Sequence, residues 1–154
     1  MRVVVQRVRR AQVTVEETIT GSIDQGLVLL VAFREGDSEE DLRWMASKCL
    51  ELRIFPDEQG KMNRSLVETG GGVLVVSQFT LYGDARKGRR PSFIESAPPE
   101  LAERLYDRFV RILEESGVPT GTGMFRAHMD VELVNDGPVT LILDRGTGRG
   151  DADG

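Results

Sequence analysis

Apolar residues alternate at Ala11, Val13 and Val15 after the valine-rich stretch VVVQRV, whereas GLVLLVAF from Gly26 to Phe33 is apolar without a break. A period of two predicts a half-buried strand, and a short unbroken apolar run predicts one buried on both faces. The period then changes. Leu42, Met45, Ala46, Cys49 and Leu50 stand at i, i+3, i+4, i+7 and i+8, one face of a helix that Asp37 and Ser38 are placed to cap. IFPDEQGK reads as a turn between extended pieces, and GGVLVVSQF resumes a buried strand. Pro98 and Pro99 open a second helix with Leu101, Leu105, Phe109, Ile112 and Leu113 as its stripe and Gly117 as its stop. Met129, Val131 and Leu133 alternate on one arm, and Val139, Leu141 and Leu143 on another, around NDGP, which predicts a hairpin-like pair with His128 on its first arm.

The order of strands, helix, strands, helix, strands, without repeats or a linker, predicts one α/β domain on a single mixed, largely antiparallel sheet with two main helices. Its expected span is residues 1–144. RGTGRGDADG, residues 145–154, has no apolar content and is expected to be a disordered tail. A length of 154 residues suits a single core, and 40% apolar with 29% charged residues suits a water-soluble protein. No apolar run approaches the roughly 20 residues that span a bilayer, and the N-terminus lacks a signal peptide's apolar segment, so the expected compartment is the cytoplasm. Cys49 is the only cysteine. It excludes an internal disulfide and is expected to pack in the core. Trp44 lies off its helix's apolar stripe, facing a sheet edge, a partner subunit or solvent.

A net charge of -5 disfavours generic coating of nucleic acid, but Arg86, Lys87, Arg89 and Arg90 form a local basic patch. GTGMFRA lacks the third glycine of a dinucleotide loop, and no phosphate-binding P-loop occurs, so no nucleotide cofactor is implied. One histidine and one cysteine make ordinary zinc sites a poor fit, so no metal is expected. RGD at Arg149 to Asp151 lies in the tail and is not assigned an adhesion role. His128 is read as a surface residue rather than a base, and no serine or threonine comes with an evident base and orienting group.

Two local features remain. In SQFTLYGD, Ser77, Gln78 and Thr80 set hydroxyl and amide groups around Phe79, whose ring suits stacking on a base or lining a pocket. In NDGPVT, Gly137 precedes Pro138, the one kind of linkage at which a cis peptide is cheap enough to be used structurally. SQFTLYGD, followed by KGRRPSF and later by LVNDGPVT, resembles the paired signature of the D-aminoacyl-tRNA deacylases, also called D-tyrosyl-tRNA deacylases. The likeness runs from RVVVQRV through LRIFPDEQGKMN to about Leu143.

That resemblance implies a barrel-like core and a homodimer whose two pockets lie at the subunit interface. Ser77, Gln78, Phe79 and Thr80 would surround the tRNA's 3'-terminal adenosine and the aminoacyl ester. Gly137 and Pro138 of the other chain would enter as a Gly-cis-Pro element that rejects L-aminoacyl groups. Met129 would wall the adenine side. Arg126 stands where the family's segment commonly has glycine, leaving open whether this cation touches RNA or alters the loop. N–H groups near Phe79 and Thr80 would hold the oxyanion, and the substrate's ribose 2'-OH is favoured over a Thr80 acyl-enzyme. Arg86, Lys87, Arg89 and Arg90 would receive acceptor-stem phosphates. Mischarged glycyl-tRNA is a second candidate substrate. Two rivals remain: a nucleic-acid-binding module without catalysis, and a serine or threonine amidohydrolase with its pocket inside one chain.

Overall fold

The computed structural model describes residues 1–146. Strand β1 (Arg2–Val15) is the spine of the sheet: it pairs antiparallel with β2 (Thr18–Ile23), β3 (Gly26–Ala32) and β8 (Asp130–Asp144). From β3 the sheet continues in parallel pairing to β6 (Gly72–Ser77) and on to β7 (Thr120–Thr122). The sheet is therefore mixed. Parallel neighbours need long crossovers, and helices supply them here: α1 (Glu39–Glu51) between β3 and β6, α3 (Pro99–Glu115) between β6 and β7. A two-stranded ribbon, β4 (Phe55–Pro56) with β5 (Met62–Arg64), and a one-turn helix α2 (Leu66–Thr69) complete the first crossover.

The ends of the sheet nearly meet. Thr20 on β2 donates its hydroxyl to the Thr122 carbonyl on β7 at 3.3 Å. Gly21 permits this approach, because a Cβ there would lie 2.4 Å from the same oxygen. The curl gives the sheet two buried faces. Val3, Val5, Leu27, Leu29, Val31, Val73 and Val75 meet the helices, and Val8, Ala11, Val13, Val28, Leu74 and Val76 fill the inner side. The continuous apolar run read from Gly26 to Phe33 has this cause: alternate residues of β3 serve both cores.

Helix α1 buries the stripe read from the sequence, Leu42, Met45, Ala46, Cys49 and Leu50. Ser38 is its N-cap, in a capping box with Asp41, a device that stabilises by about 1 kcal/mol. Asp37 has a different task and binds the Met1 ammonium at 2.7 Å. Burial pushes the Cys49 thiol up to about 12, which leaves it an inert apolar residue. Helix α3 starts on Pro99 as read, but its buried face is centred on Ala102, Tyr106, Phe109, Val110, Ile112 and Leu113, with Leu101 and Leu105 half-buried at its margin. The Tyr106 hydroxyl, which donates to the Val75 carbonyl at 2.7 Å, fixes that rotation.

Two expectations are corrected. The two arms around NDGP do not form a hairpin. They lie end to end in the single strand β8, with Val131 and Leu133 opposite Val13 and Ala11, and Leu141 and Leu143 opposite Val5 and Val3. The length of β1 accommodates both arms, and NDGP is a bulge between them: one residue, Arg7, separates Gln6 from Val8, whereas four, Asp136 to Val139, separate their partners Thr140 and Asn135. His128 lies in the loop before β8 rather than on a strand.

Trp44 is covered from within the chain, by Lys48 and by Arg145, whose guanidinium lies 4.8 Å from the ring centroid. Arg145 also bonds Asp41 at 3.2 Å, donates its N–H to the Met1 carbonyl at 2.9 Å and accepts from the Met1 ammonium. Residues 147–154 of the expected tail, with its RGD, lie outside the described residues. No helix among the described residues is long and apolar enough to cross a membrane.

Candidate active site

Strand β6 stops at Ser77 because Gln78, at φ -141 and ψ 71, turns the chain into a 3-10 turn, Phe79–Tyr82. The Gln78 N–H still reaches the Val31 carbonyl on β3, at 2.7 Å, so the turn is anchored to the sheet. The N–H groups of Phe79 and Thr80 precede the first acceptor inside this turn, and among the described residues neither has a backbone partner. The Gln78 amide donates to the Thr80 hydroxyl at 2.5 Å. Beneath them Tyr82 is buried, with the Arg2 and Arg34 guanidiniums 5.0 and 5.3 Å from its ring centroid. Burial raises its phenol pKa, so it remains neutral.

Above the turn opens a cleft of about 740 Å³. Ser77, Gln78 and Phe79 line it from the end of β6, Phe125, Arg126, Ala127, His128 and Met129 from the segment between β7 and β8, and Phe93 and Ser96 from the loop before α3. Phe79 is 55% exposed and packs with Phe93 in a T-shaped pair, centroids 5.1 Å apart and planes at 65°, so over half of its surface stays open. Ser96 donates its hydroxyl to the Phe79 carbonyl at 3.1 Å, which fixes the turn from outside. Met129 is fixed by the Met124 N–H on its sulfur at 3.4 Å. No carboxylate lines the cleft among the described residues, and its two ionisable groups are Arg126 and His128. His128 is 94% exposed and faces Asp130 at 3.7 Å.

The residues read from the sequence thus divide. Ser77, Gln78, Phe79 and Met129 share this cleft, with Thr80 on the turn beside it. Gly137 and Pro138 do not line it. They sit on the bulge of β8, with a cis bond between them and Gly137 at φ 130. Arg7, which is 8% exposed, holds this bulge: its Nε donates to the Asp136 carbonyl at 3.1 Å and lies 3.4 Å from that residue's carboxylate. Its Nη1 donates to the Ile54 carbonyl at 2.6 Å.

The basic loop also divides. An Asp84–Ser92 bridge closes it, and the Asp84 carboxylate takes the Arg86 guanidinium at 2.7 and 2.9 Å, which lowers the Asp84 pKa to about 2. Arg86 is therefore committed internally, while Lys87, Arg89 and Arg90 are exposed and have no ion pair among the described residues. Sequence reading missed Phe93, Ser96, Phe125 and Arg7. Phe93 lies inside KGRRPSF and was legible as an aromatic there, whereas Arg7 sits in a strand pattern where a cation reads as solvent-facing. No three His, Cys, Asp or Glu side chains gather around a metal-sized space among the described residues.

Residues 4–144 match the profile of the family described as D-Tyr-tRNA(Tyr) deacylase. A relative from Thermomicrobium roseum, named D-aminoacyl-tRNA deacylase, is 60% identical over 150 residues, 97% of both chains. One of the same name from Thermotoga petrophila is 58% identical over 144 residues, 94% of this chain and 97% of its own. Among solved structures, the c-Myc DNA Unwinding Element Binding Protein superposes with a TM-score of 0.88 at 38% identity, over 94% of this chain and 99% of that one. A probable eukaryotic D-amino acid tRNA deacylase gives 0.80 at 21% identity, over 94% and 98%, a likeness of fold. With the profile matched over residues 4–144 and relatives at 58 and 60% identity over nearly the whole chain, this chain belongs to the D-aminoacyl-tRNA deacylase family of hydrolases.

Proposed function

We propose that the protein hydrolyses the ester of D-aminoacyl-tRNA, releasing the D-amino acid and free tRNA, in the cytoplasm and without a metal or nucleotide cofactor, with residues 1–144 as the deacylase unit. The observation that carries the chemistry is the turn after Ser77: two backbone N–H groups without backbone acceptors among the described residues, beside a cleft lined by Phe79 and, among those residues, by no carboxylate base. An ester carbonyl seated there becomes an oxyanion as water attacks. Donors fixed in advance at that point stabilise the charge as it develops. Phe79 and Thr80 supply them, while Phe79 and Met129 hold the terminal adenosine. The proton transfers fall to the substrate's own 2'-OH, because the Thr80 hydroxyl is engaged by Gln78 and has no base beside it.

Gly137 and Pro138 lie away from their own chain's cleft, which supports a homodimer in which Gly137 of the partner subunit and Pro138 of the partner subunit complete the pocket. Their backbone excludes an L side chain, leaves a D side chain pointing outward, and finds nothing to exclude in glycine, so mischarged glycyl-tRNA is a second substrate. Lys87, Arg89 and Arg90 receive backbone phosphates. Relatives named as deacylases weigh for chemistry over a binding-only module. The test is hydrolysis of D-aminoacyl-tRNA in EDTA by the wild type and by Thr80→Ala. Both are expected to release the amino acid. An acyl group trapped on Thr80, or activity abolished by EDTA and restored by zinc, refutes the mechanism.

A further inference from the structure

The segment that lines the cleft between β7 and β8 contains a residue whose conformation opposes its identity. The Ala127 N–H donates to the Met124 carbonyl at 3.2 Å, closing a four-residue turn with Arg126 third. Arg126 is held there at φ 67, the left-handed region in which a side chain crowds its own backbone and which glycine occupies without cost. A non-glycine residue persists in such a position when something offsets the strain, and strained residues concentrate at functional sites. The strain has no evident local compensation. Arg126 is exposed, and its guanidinium has neither an ion pair nor a side-chain hydrogen bond among the described residues. Arg7 and Arg86, by contrast, are committed, Arg7 to Asp136 and Ile54 and Arg86 to Asp84.

The surroundings specify what such a cation takes. It lines the same cleft as Phe79, no carboxylate lines that cleft among the described residues, and Asp130, four residues on, faces His128. An unopposed guanidinium beside an aromatic platform suits an anion attached to a base, since its fork of donors matches phosphate oxygens while the base stacks. We propose that Arg126 binds a backbone phosphate of the substrate's single-stranded 3' end, next to the nucleoside that Phe79 holds. This rests on the deacylase reading and adds to it a substrate-positioning residue within the cleft, separate from the basic loop at Lys87 to Arg90.

Two substitutions separate charge from backbone. Arg126→Gln removes the cation and keeps a side chain at positive φ, whereas Arg126→Gly removes both. The probes are a single-stranded RNA with the sequence of a tRNA acceptor end, for binding, and D-aminoacyl-tRNA, for turnover. For both variants RNA binding is expected to weaken about tenfold at low salt, the effect of one charge-assisted contact. The slope of log affinity against log salt should fall by about 0.7, the share of one phosphate on a single strand. KM should rise with kcat little changed, and Arg126→Lys should recover part of the affinity. Only Arg126→Gly should raise the melting temperature, by relief of the turn, so that stability and affinity move in opposite directions. Unchanged affinity and salt slope in Arg126→Gln overturn the proposal, as does a loss seen in Arg126→Gly alone, which would make the loop's shape the cause. Binding and turnover fail independently. A wild type that binds the RNA through Arg126 but releases no amino acid sinks the deacylase reading and leaves the phosphate contact standing.

Discussion

Replacing Arg7 with Met keeps the apolar stem of the side chain and deletes its charge. The guanidinium donates to two main-chain carbonyls, Ile54 at 2.6 Å and Asp136 at 3.1 Å, and lies 3.4 Å from the Asp136 carboxylate. Hydrogen bonds from a charged donor contribute about 1.5 to 3 kcal/mol each, and breaking a buried charged contact costs about 3 to 5. The Asp136 side chain is 31% exposed and has Arg9 at 3.7 Å, so its share is discounted and the expected loss is about 3 kcal/mol. For a chain of this size that lowers the melting temperature by about 6 to 12 °C. Urea unfolding of Arg7→Met should show the lower midpoint with an unchanged slope. Arg9→Met is the control: Arg9 is 74% exposed, and its loss should stay within about 0.5 kcal/mol. Because Arg7 also sets the position of the β8 bulge, folded Arg7→Met should lose stereoselectivity, and Arg7→Lys should retain part of it. A stability within 1 kcal/mol of wild type, or equal to that of Arg9→Met, would show that pairing of β1 with β8 holds the bulge unaided.

Asp84 should titrate near 2 by carboxyl NMR rather than at its ordinary 3.8, and Arg86→Ala should raise it only part of the way back, because the N–H of residue 86 still bonds the carboxylate at 3.0 Å. Because its folded pKa is depressed, its contribution to loop order is present above 3.8 and is lost as pH falls through about 2. Replacing Lys87, Arg89 and Arg90 together with Ala should weaken tRNA binding and flatten its log–log salt slope by about 2 to 3, whereas Arg86→Ala should leave the slope near wild type, as read by titrations at several salt concentrations. Tyr106→Phe should cost about 1 kcal/mol in denaturant unfolding, since the buried Val75 carbonyl loses its hydroxyl donor.

Periodicity located β1, α1 and α3, and unbroken apolar runs located β3 and β6, because the burial of each is regular. It failed where tertiary pairing overrides local pattern. NDGP carries the residues of a hairpin turn, yet both arms find hydrogen bonds on β1, and nothing local announces so long a strand opposite. The stripe of α3 read from its leucines missed Tyr106, whose polar end is satisfied only by a carbonyl distant in sequence. Parallel pairing of β6 with β7 was likewise hidden, since β7 has three residues, Thr120 to Thr122, and no periodicity. In the site, Ser77, Gln78, Phe79 and Thr80 were legible through SQFTLYGD, and Met129 only through the family resemblance. Arg7 and Ser96 were not, because each acts through a main-chain carbonyl brought to it by the fold.

The central claim is chirality-dependent ester hydrolysis, and the rate of amino-acid release from one tRNA charged with either enantiomer of the same amino acid tests it most directly. With enzyme in excess, the D-aminoacyl ester should be cleaved about a hundredfold or more faster than the L ester, the scale that one steric exclusion supplies. Equal rates for the two enantiomers, or no release from either above the uncatalysed rate, would contradict the account.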